Sequence, residues 1–108
     1  MQCQVEVDVF SGRPNPSWSL PEGVHASLMS MWDEASPCPP GLIHESRLGY
    51  RGITLVCDDG SQFDAFEGKI CYSHDSSSEW RVDADRGFEK TLLTSAPADL
   101  LPTGLLDL

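Results

Sequence analysis

The sequence predicts an α+β domain in which a four-stranded, mainly antiparallel sheet carries two helices on one face. Four segments alternate polar and apolar residues, as half-buried strands do, and two segments repeat apolar residues at steps of three and four, as amphipathic helices do. Their order is strand, helix, three strands, helix, which lacks the regular alternation of a parallel α/β fold. The 108 residues accommodate one such domain, at 1–97, followed by a Leu-rich C-terminal tail at 98–108.

The first strand and the first helix are predicted near the start of the chain. Polar and apolar residues alternate from residue 2 to residue 10, which indicates a strand with one buried face. Ser19 and Glu22 have the spacing of a capping box, in which each side chain accepts a hydrogen bond from a backbone N–H at a helix start. A helix is therefore expected to begin near Ser19 and to end before Pro37.

Three consecutive strands are expected to form a meander. A three-residue loop with Gly60 in the left-handed conformation and a tight turn at 67–68 keep the apolar residues of all three strands on one face. Cys71 then points away from that face, beside Asp64. The predicted residue pairs are Leu55 with Phe63, Ile53 with Ala65, Ala65 with Ile70, and Phe63 with Tyr72.

A loop and a second helix are predicted after the meander. Three consecutive serines within 74–79 indicate a mobile loop. Asp83 is suited to the N-cap of a helix, since its carboxylate can accept hydrogen bonds from the first backbone N–H groups. Phe88 and Leu92 then form a buried stripe, and Pro97 ends the helix.

The charge balance restricts the class of partner. Seventeen acidic and 7 basic side chains give a net charge of −10, which disfavours contact with nucleic acid or an anionic membrane surface and is compatible with a basic protein partner. The chain opens without a signal-peptide pattern and contains no apolar run of about 20 residues. The sequence therefore predicts a cytoplasmic protein with reduced thiols.

The 4 Cys and 3 His residues contain no C-x-x-C or H-x-x-x-H pair of the kind that binds zinc. Cys3 and Cys57 fall on predicted inner faces, where a free thiol behaves as a small apolar group. Cys38, His44 and Cys71 are the remaining candidates for a soft-metal (Cu or Zn) site, and only the fold can bring them together. No resident cofactor is expected.

The sequence favours a non-enzymatic role. It shows no nucleophile and base, and no carboxylate pair, at a spacing that predicts an active site. Ser73, His74 and Asp75 are the residue types of a hydrolase triad, but adjacent residues on an extended chain point in different directions, whereas a real triad is assembled across a fold.

Two loops carry the candidate residues for ligand or partner binding. Arg13 and Asn15 stand between prolines, with Trp18 close behind, and Tyr50 and Arg51 are framed by glycines. Rigidly held aromatic and arginine side chains suit a binding surface, because little conformational entropy is lost on contact. The alternative is structural: Arg13 pairs with a nearby carboxylate and Trp18 covers the edge of the core. If the loops meet, the two arginines form a small pocket for a carboxylate or phosphate.

The two loops also carry a resemblance. The blocks Asp8–Pro16 (DVFSGRPNP) and Leu48–Gly52 (LGYRG) resemble those of a family of small bacterial proteins, and the segment Glu89–Leu93 is similar to the end of that family. The resemblance spans most of the chain. It implies a stand-alone domain and singles out the two loops, but it implies no ligand and no activity.

The favoured function is that of a small acidic binding or regulatory module. Protein contacts, with a partner or by self-association, are expected through the Arg-bearing loops, the outer face of the sheet or the tail, in which five leucines fall within the last nine residues. The tail either docks on its own domain or is exposed to a partner. The alternatives are a soft-metal binding protein and a small-anion receptor or enzyme that uses Arg13 and Arg51.

Overall fold

Six antiparallel strands and two α-helices make up the described part of this computed structural model, which covers residues 2–8, 15–40, 51–97 and 100–101. Neither helix is long and apolar enough to cross a membrane. The elements in chain order are β1 (Cys3–Val7), β2 (Ser17–Ser19), α1 (Val24–Glu34), β3 (Ile53–Cys57), β4 (Gln62–Phe66), β5 (Lys69–His74), β6 (Ser77–Val82), a 3-10 turn (Ala84–Arg86) and α2 (Gly87–Thr94).

The strands form one sheet in the order β2-β1-β3-β4-β5-β6. The predicted α+β class is confirmed, but the prediction of four strands is wrong because two largely polar segments, β2 and β6, add strands to the sheet. β2 has only Trp18 as an inward apolar residue. β6 lies where a mobile loop was expected. It continues a hairpin from β5 through a two-residue turn, where Asp75 has a φ of 55°. Main-chain hydrogen bonds to β5, more than an alternation of apolar residues, make this segment a strand.

The predicted meander is confirmed in its register. Strand pairing joins Leu55 to Phe63 and Ala65 to Ile70, with the other two predicted pairs alongside them. Gly60 has a φ of 89°, so the three-residue loop is built as expected. These turns are local, so the sequence around them is sufficient to fix the pairing.

The helix starts differ from the prediction. Ser19 lies in β2, where its hydroxyl donates to Gln4 Oε1 at 3.2 Å, so the capping box is wrong. Helix α1 instead starts after Gly23, which has a φ of 87° and needs the conformational freedom of glycine. Asp83 is not the N-cap residue of α2, because the 3-10 turn separates the two and Arg86 holds that position, but its carboxylate accepts from the Phe88 N–H at 2.8 Å and the Glu89 N–H at 3.0 Å.

Both helices pack on one face of the sheet, as predicted. Phe63 on β4 shows this most directly, because its ring centroid lies 5.6 Å from Trp32 of α1 and 5.6 Å from Phe88 of α2. The core also contains Leu28, Leu92 and the inward residues of the central strands. Neither of the two described helices packs on the opposite face, which is called the uncovered face below, although Phe66 and Cys71 on it are buried.

The two edges of the sheet are protected in different ways. β2 is only three residues long. Along β6, the Cys38 N–H donates to the Trp80 carbonyl at 3.1 Å, and the Val82 N–H donates to the Ser36 carbonyl at 2.8 Å. Short or covered edges discourage pairing with a foreign strand.

Candidate functional site

A cleft of about 130 Å³ lies on the uncovered face of the sheet. The side chains that give it its chemistry come from three of the six strands, β4, β5 and β6, and from the residues that follow β1 and precede β3. They are Asp8, Arg51, Asp64, Phe66, Lys69 and Trp80.

The pleat of the sheet explains why these side chains meet. Every second residue of a strand points to the same face, and the antiparallel register aligns such residues in rows across the sheet. One row runs from Thr54 through Asp64 and Cys71 to Trp80. A second row pairs Phe66 with Lys69 and Lys69 with Val82. The cleft therefore follows from pairing that is fixed along four strands.

Arg51 forms an ion pair at one end of the cleft. Its Nη2 and Nε donate to Asp8 Oδ1 at 2.9 and 3.3 Å. The two backbones are also joined, because the Arg51 N–H donates to the Asp8 carbonyl at 2.7 Å and the Asp8 N–H donates to the Gly52 carbonyl at 2.9 Å. An incoming anion would have to compete with Asp8 for this guanidinium, which argues against the small-anion receptor.

Two of the predicted binding residues lie on either side of β1. Asn15 Nδ2 donates to Glu6 Oε2 at 3.2 Å, and Arg51 contacts Asp8, two residues further along the chain and just past the end of β1. The segments that carry Asn15 and Arg51 therefore approach each other across the end of β1. Arg13 and Tyr50 lie outside the described residues.

The other charged groups of the cleft are also partnered. Asp64 accepts from Thr54 Oγ1 at 2.7 Å and from Gln62 Nε2 at 3.1 Å. Lys69 Nζ donates to the Pro39 carbonyl at 3.4 Å. These contacts hold the carboxylates in place, and they leave a cleft with an aromatic wall and a rim that carries both signs of charge.

Trp18 does not lie at this surface. It is 6% exposed in the core, and its indole N–H donates to Ser95 Oγ at 2.9 Å. This is the structural alternative considered for Trp18, in which the ring covers the edge of the core. Its position does not support the prediction that Trp18 is a contact residue, because neither its ring face nor its N–H is offered to a partner.

The thiols are arranged differently from the expectation. Cys3 and Cys57 are joined in a disulfide, so the prediction of free thiols at these positions is wrong. The pairing was missed because it requires β1 to lie beside β3, and the strand order was open. Cys38 and Cys71 are free. Burial raises the pKa of the Cys71 thiol, which keeps it protonated and a poor metal ligand.

The metal candidates are not brought together among the described residues. His44 lies outside them, and neither Cys38 nor Cys71 belongs to a group of three close donors there. The group that does form in this part of the chain consists of Cys3, His25 and Cys57. No local sequence pattern indicates this group, because the three residues come from β1, α1 and β3.

The Ser-His-Asp run does not form a triad. His74 Nε2 lies 3.1 Å from the Asp59 carbonyl oxygen, and Nδ1 lies 3.4 Å from Asp75 Oδ2. Ser73 Oγ instead lies 3.8 Å from Cys71 Sγ. Neither ring nitrogen of His74 is directed at a serine hydroxyl, in agreement with the interpretation of this run as a coincidence.

The tail begins against the domain. Leu101 is partly buried and packs on the core, whereas Leu100 is exposed. The segment 102–108, with the other leucines of the predicted interaction tail, lies outside the described residues.

No family model, curated protein or solved structure matches this chain. Of the two blocks that carry the resemblance to the small bacterial family, the structure describes Asp8, 15–16 and 51–52. Asp8, Arg51 and Gly52 line the cleft, whereas Asn15 donates to Glu6 on β1. What the cleft binds is therefore inferred from its size, shape and charge.

Proposed function

We propose that this protein is a non-enzymatic binding module that holds a protein partner on the uncovered face of its sheet. In this proposal the cleft between Arg51, Lys69 and Trp80 receives one apolar side chain of the partner. The observation that carries the proposal is this combination of a tryptophan wall and cationic side chains around a cleft of about 130 Å³. Tryptophan and arginine are over-represented among the residues that dominate binding energy at protein interfaces.

The size of the cleft favours a side chain over a metabolite. Pockets for drug-sized ligands measure roughly 300–1,000 Å³, and this cleft has less than half of the lower value. A single apolar or aromatic side chain is of a suitable size. The face around the cleft adds contact area, since Val56 and Val82 are exposed there at 46% and 41%.

The charge of the protein favours a basic partner. Arg51 and Lys69 both donate to groups of the protein itself, and Glu6, Asp8 and Asp64 lie on or beside the same face. With a net charge of −10, long-range attraction speeds the approach of a basic surface. The same charge repels a second copy of this chain, so a different protein is a better candidate than self-association.

The expected location is the cytoplasm, and this remains part of the proposal. The disulfide bears on it, because cytosolic disulfides are usually transient or regulatory. A protein that works in that compartment is therefore expected to exchange between a reduced and an oxidised form of Cys3 and Cys57.

A selection with random peptides displayed on phage tests the proposed function. We expect wild-type protein to enrich peptides with an apolar anchor residue and flanking Lys or Arg. Trp80→Ala is expected to lower the affinity for these peptides at least about tenfold, in line with the loss of a central interface residue. Leu100→Ser is the matched control, since it removes an exposed apolar side chain from the tail side of the molecule.

The two variants distinguish binding at the sheet face from binding at the tail. Binding that survives Trp80→Ala but is lost in Leu100→Ser would assign the interaction to the tail and contradict the proposal. Unchanged affinity in both variants would also contradict it. The melting temperature of each variant is measured alongside, and Trp80→Phe serves if Trp80→Ala does not fold, with a smaller loss of affinity expected.

A further inference from the structure

A second cleft lies beside the first turn of α1, away from the proposed binding face. It has a volume of about 440 Å³, and Cys3 and His25 both line it. Gln2, Leu20 and Glu22 form other parts of its wall. The Cys3–Cys57 disulfide is therefore largely buried but lies beside a solvent-filled opening.

Three potential metal ligands converge at this cleft. Cys3 and Cys57 are directly opposite on β1 and β3, with Cα atoms 4.0 Å apart. The first turn of α1 brings His25 to them, so that the two sulfurs and an imidazole nitrogen all lie within 4.8 Å of one another. The ligand atoms of a tetrahedral zinc ion lie about 3.5–3.8 Å apart, given Zn–S and Zn–N bonds of about 2.3 and 2.0 Å.

We propose that reduction of the Cys3–Cys57 disulfide creates a metal site, in which the two thiolates and the His25 imidazole bind one soft or borderline ion, Zn²⁺ or Cu⁺. Sulfur and imidazole nitrogen are the donors that such ions prefer. Rotation about the Cα–Cβ bonds of the two cysteines separates the sulfurs to ligand spacing. Three protein donors leave one position of a tetrahedral ion to water or an external ligand.

A dithiol reductant supplies what the reduction of the Cys3–Cys57 disulfide requires. One thiolate of the dithiol attacks a protein sulfur to give a mixed disulfide, and its second thiol displaces that sulfur, so the reductant leaves as a disulfide. Two electrons and two protons are thereby transferred to Cys3 and Cys57. Metal binding then releases both thiol protons to solvent.

The disulfide and the metal are mutually exclusive in this site. A disulfide sulfur carries no negative charge and is a poor ligand, whereas metal-bound thiolates are withheld from oxidation. The redox state of one cysteine pair thus decides whether the protein binds metal. This property is independent of the proposed binding face, because Arg51 and Trp80 line a different cleft.

Zinc uptake by the reduced and the oxidised protein tests the proposal. The variant Cys38→Ser/Cys71→Ser retains Cys3 and Cys57 as its only cysteines. It is reduced with a phosphine, which becomes a phosphine oxide with oxygen from water while the two protons of that water go to the thiols. Zn²⁺ is then titrated against a chelating indicator without oxygen.

We expect one Zn²⁺ per reduced chain and none per oxidised chain. Cobalt in place of zinc is expected to give a thiolate-to-cobalt charge-transfer band in the reduced form alone. His25→Ala is expected to lower the zinc affinity at least about tenfold, since the loss of a residue that only hydrogen-bonds a metal ligand already lowers metal affinity 10–100-fold. His74→Ala is the matched control and is expected to leave the affinity unchanged.

Three results would overturn the proposal. They are equal zinc uptake by oxidised and reduced protein, no uptake by reduced protein, and unchanged affinity in His25→Ala. If the reduced chain unfolds without metal, zinc is expected to restore its far-ultraviolet circular dichroism, and failure to do so counts against the site. The wild-type chain, titrated in parallel, shows whether the two serine substitutions alter the result.

Discussion

Arg81 on β6 lies over the ring of Trp32 on α1, with its guanidinium carbon 4.2 Å from the ring centroid. Its Nη1 also donates to the Trp32 carbonyl at 2.7 Å. This pair ties the last strand of the sheet to the helix layer from the inner face. Because side chains alternate along a strand, the neighbouring Trp80 is directed to the opposite face, where it lines the proposed binding cleft.

Loss of this contact is expected to loosen β6. Arg81→Ala removes a cation–π contact and a charge-assisted hydrogen bond, and we expect the free energy of unfolding to fall by about 1–3 kcal/mol. Hydrogen exchange is expected to accelerate in 77–82 more than in β3. Lys90→Ala, which removes one positive charge from an exposed site on α2, is the control. Equal exchange in both variants would show that Arg81 does not hold the strand.

The disulfide is expected to stabilise the domain. Cys3 and Cys57 are 54 residues apart in sequence, and closing a loop of that size stabilises a protein by about 2–4 kcal/mol. Urea unfolding of Cys38→Ser/Cys71→Ser with and without a phosphine measures this directly. An unfolding free energy that does not change on reduction would mean that the bond constrains neither state.

Glu89 and Arg86 form a buried ion pair at the start of α2. The fully buried Glu89 carboxylate accepts from Arg86 Nε and Nη2 at 3.0 and 2.8 Å, and from the Glu67 N–H at 3.1 Å. Arg86→Ala removes two charge-assisted hydrogen bonds from this buried carboxylate, so we expect a loss of about 3–5 kcal/mol. Glu89→Gln retains the shape and an acceptor, and is expected to cost less. Thermal unfolding of the two variants provides the measurement. A melting temperature of Glu89→Gln below that of Arg86→Ala would contradict this expectation.

Asp83 gives the stability a defined dependence on pH. Burial raises its pKa above the usual 3.8, although the N–H groups of Glu89 and Phe88 oppose the shift. The folded state therefore holds this proton to higher pH than the unfolded state does. Its contribution to stability is present below the usual pKa and is lost as the pH rises through the raised one.

A comparison with Asp83→Asn isolates that contribution. We expect the unfolding free energy of the wild type, minus that of Asp83→Asn, to decrease as the pH rises from about 3 to about 7. Urea unfolding across this range provides the measurement. A difference that increases with pH would mean that the helix N–H groups dominate over burial and favour the anion.

The parts of the fold that the sequence predicts are those set by local patterns. The turns at Gly60 and at 67–68 determine the pairing of β3, β4 and β5, and the apolar stripes locate both helices. The contact between β1 and β3 is different, because it joins residues about 50 positions apart with no local signal. The disulfide, the position of His25 beside it and the metal site proposed there all depend on that contact.

The candidate site was predicted in part for similar reasons. Asn15 and Arg51 lie on either side of the end of β1, where Asn15 donates to Glu6 and Arg51 to Asp8. The sequence left open whether Trp18 contacts a partner or covers the edge of the core, because β2 is too short to give a recognisable alternation. Trp80 was missed because three serines and a glutamate precede it, and this polar run indicated a loop.

The indole N–H resonances of the protein test the proposed binding face most directly. The chain has three tryptophans, of which Trp18 and Trp32 are buried in the core and Trp80 lines the cleft. A ¹⁵N–¹H spectrum is recorded while an enriched peptide with an apolar anchor and basic flanks is added. We expect the Trp80 indole signal and the amides of 51–54 and 64–69 to shift, while the other two indole signals stay in place. Shifts confined to the helices or to the tail, with the Trp80 signal unchanged, would contradict it.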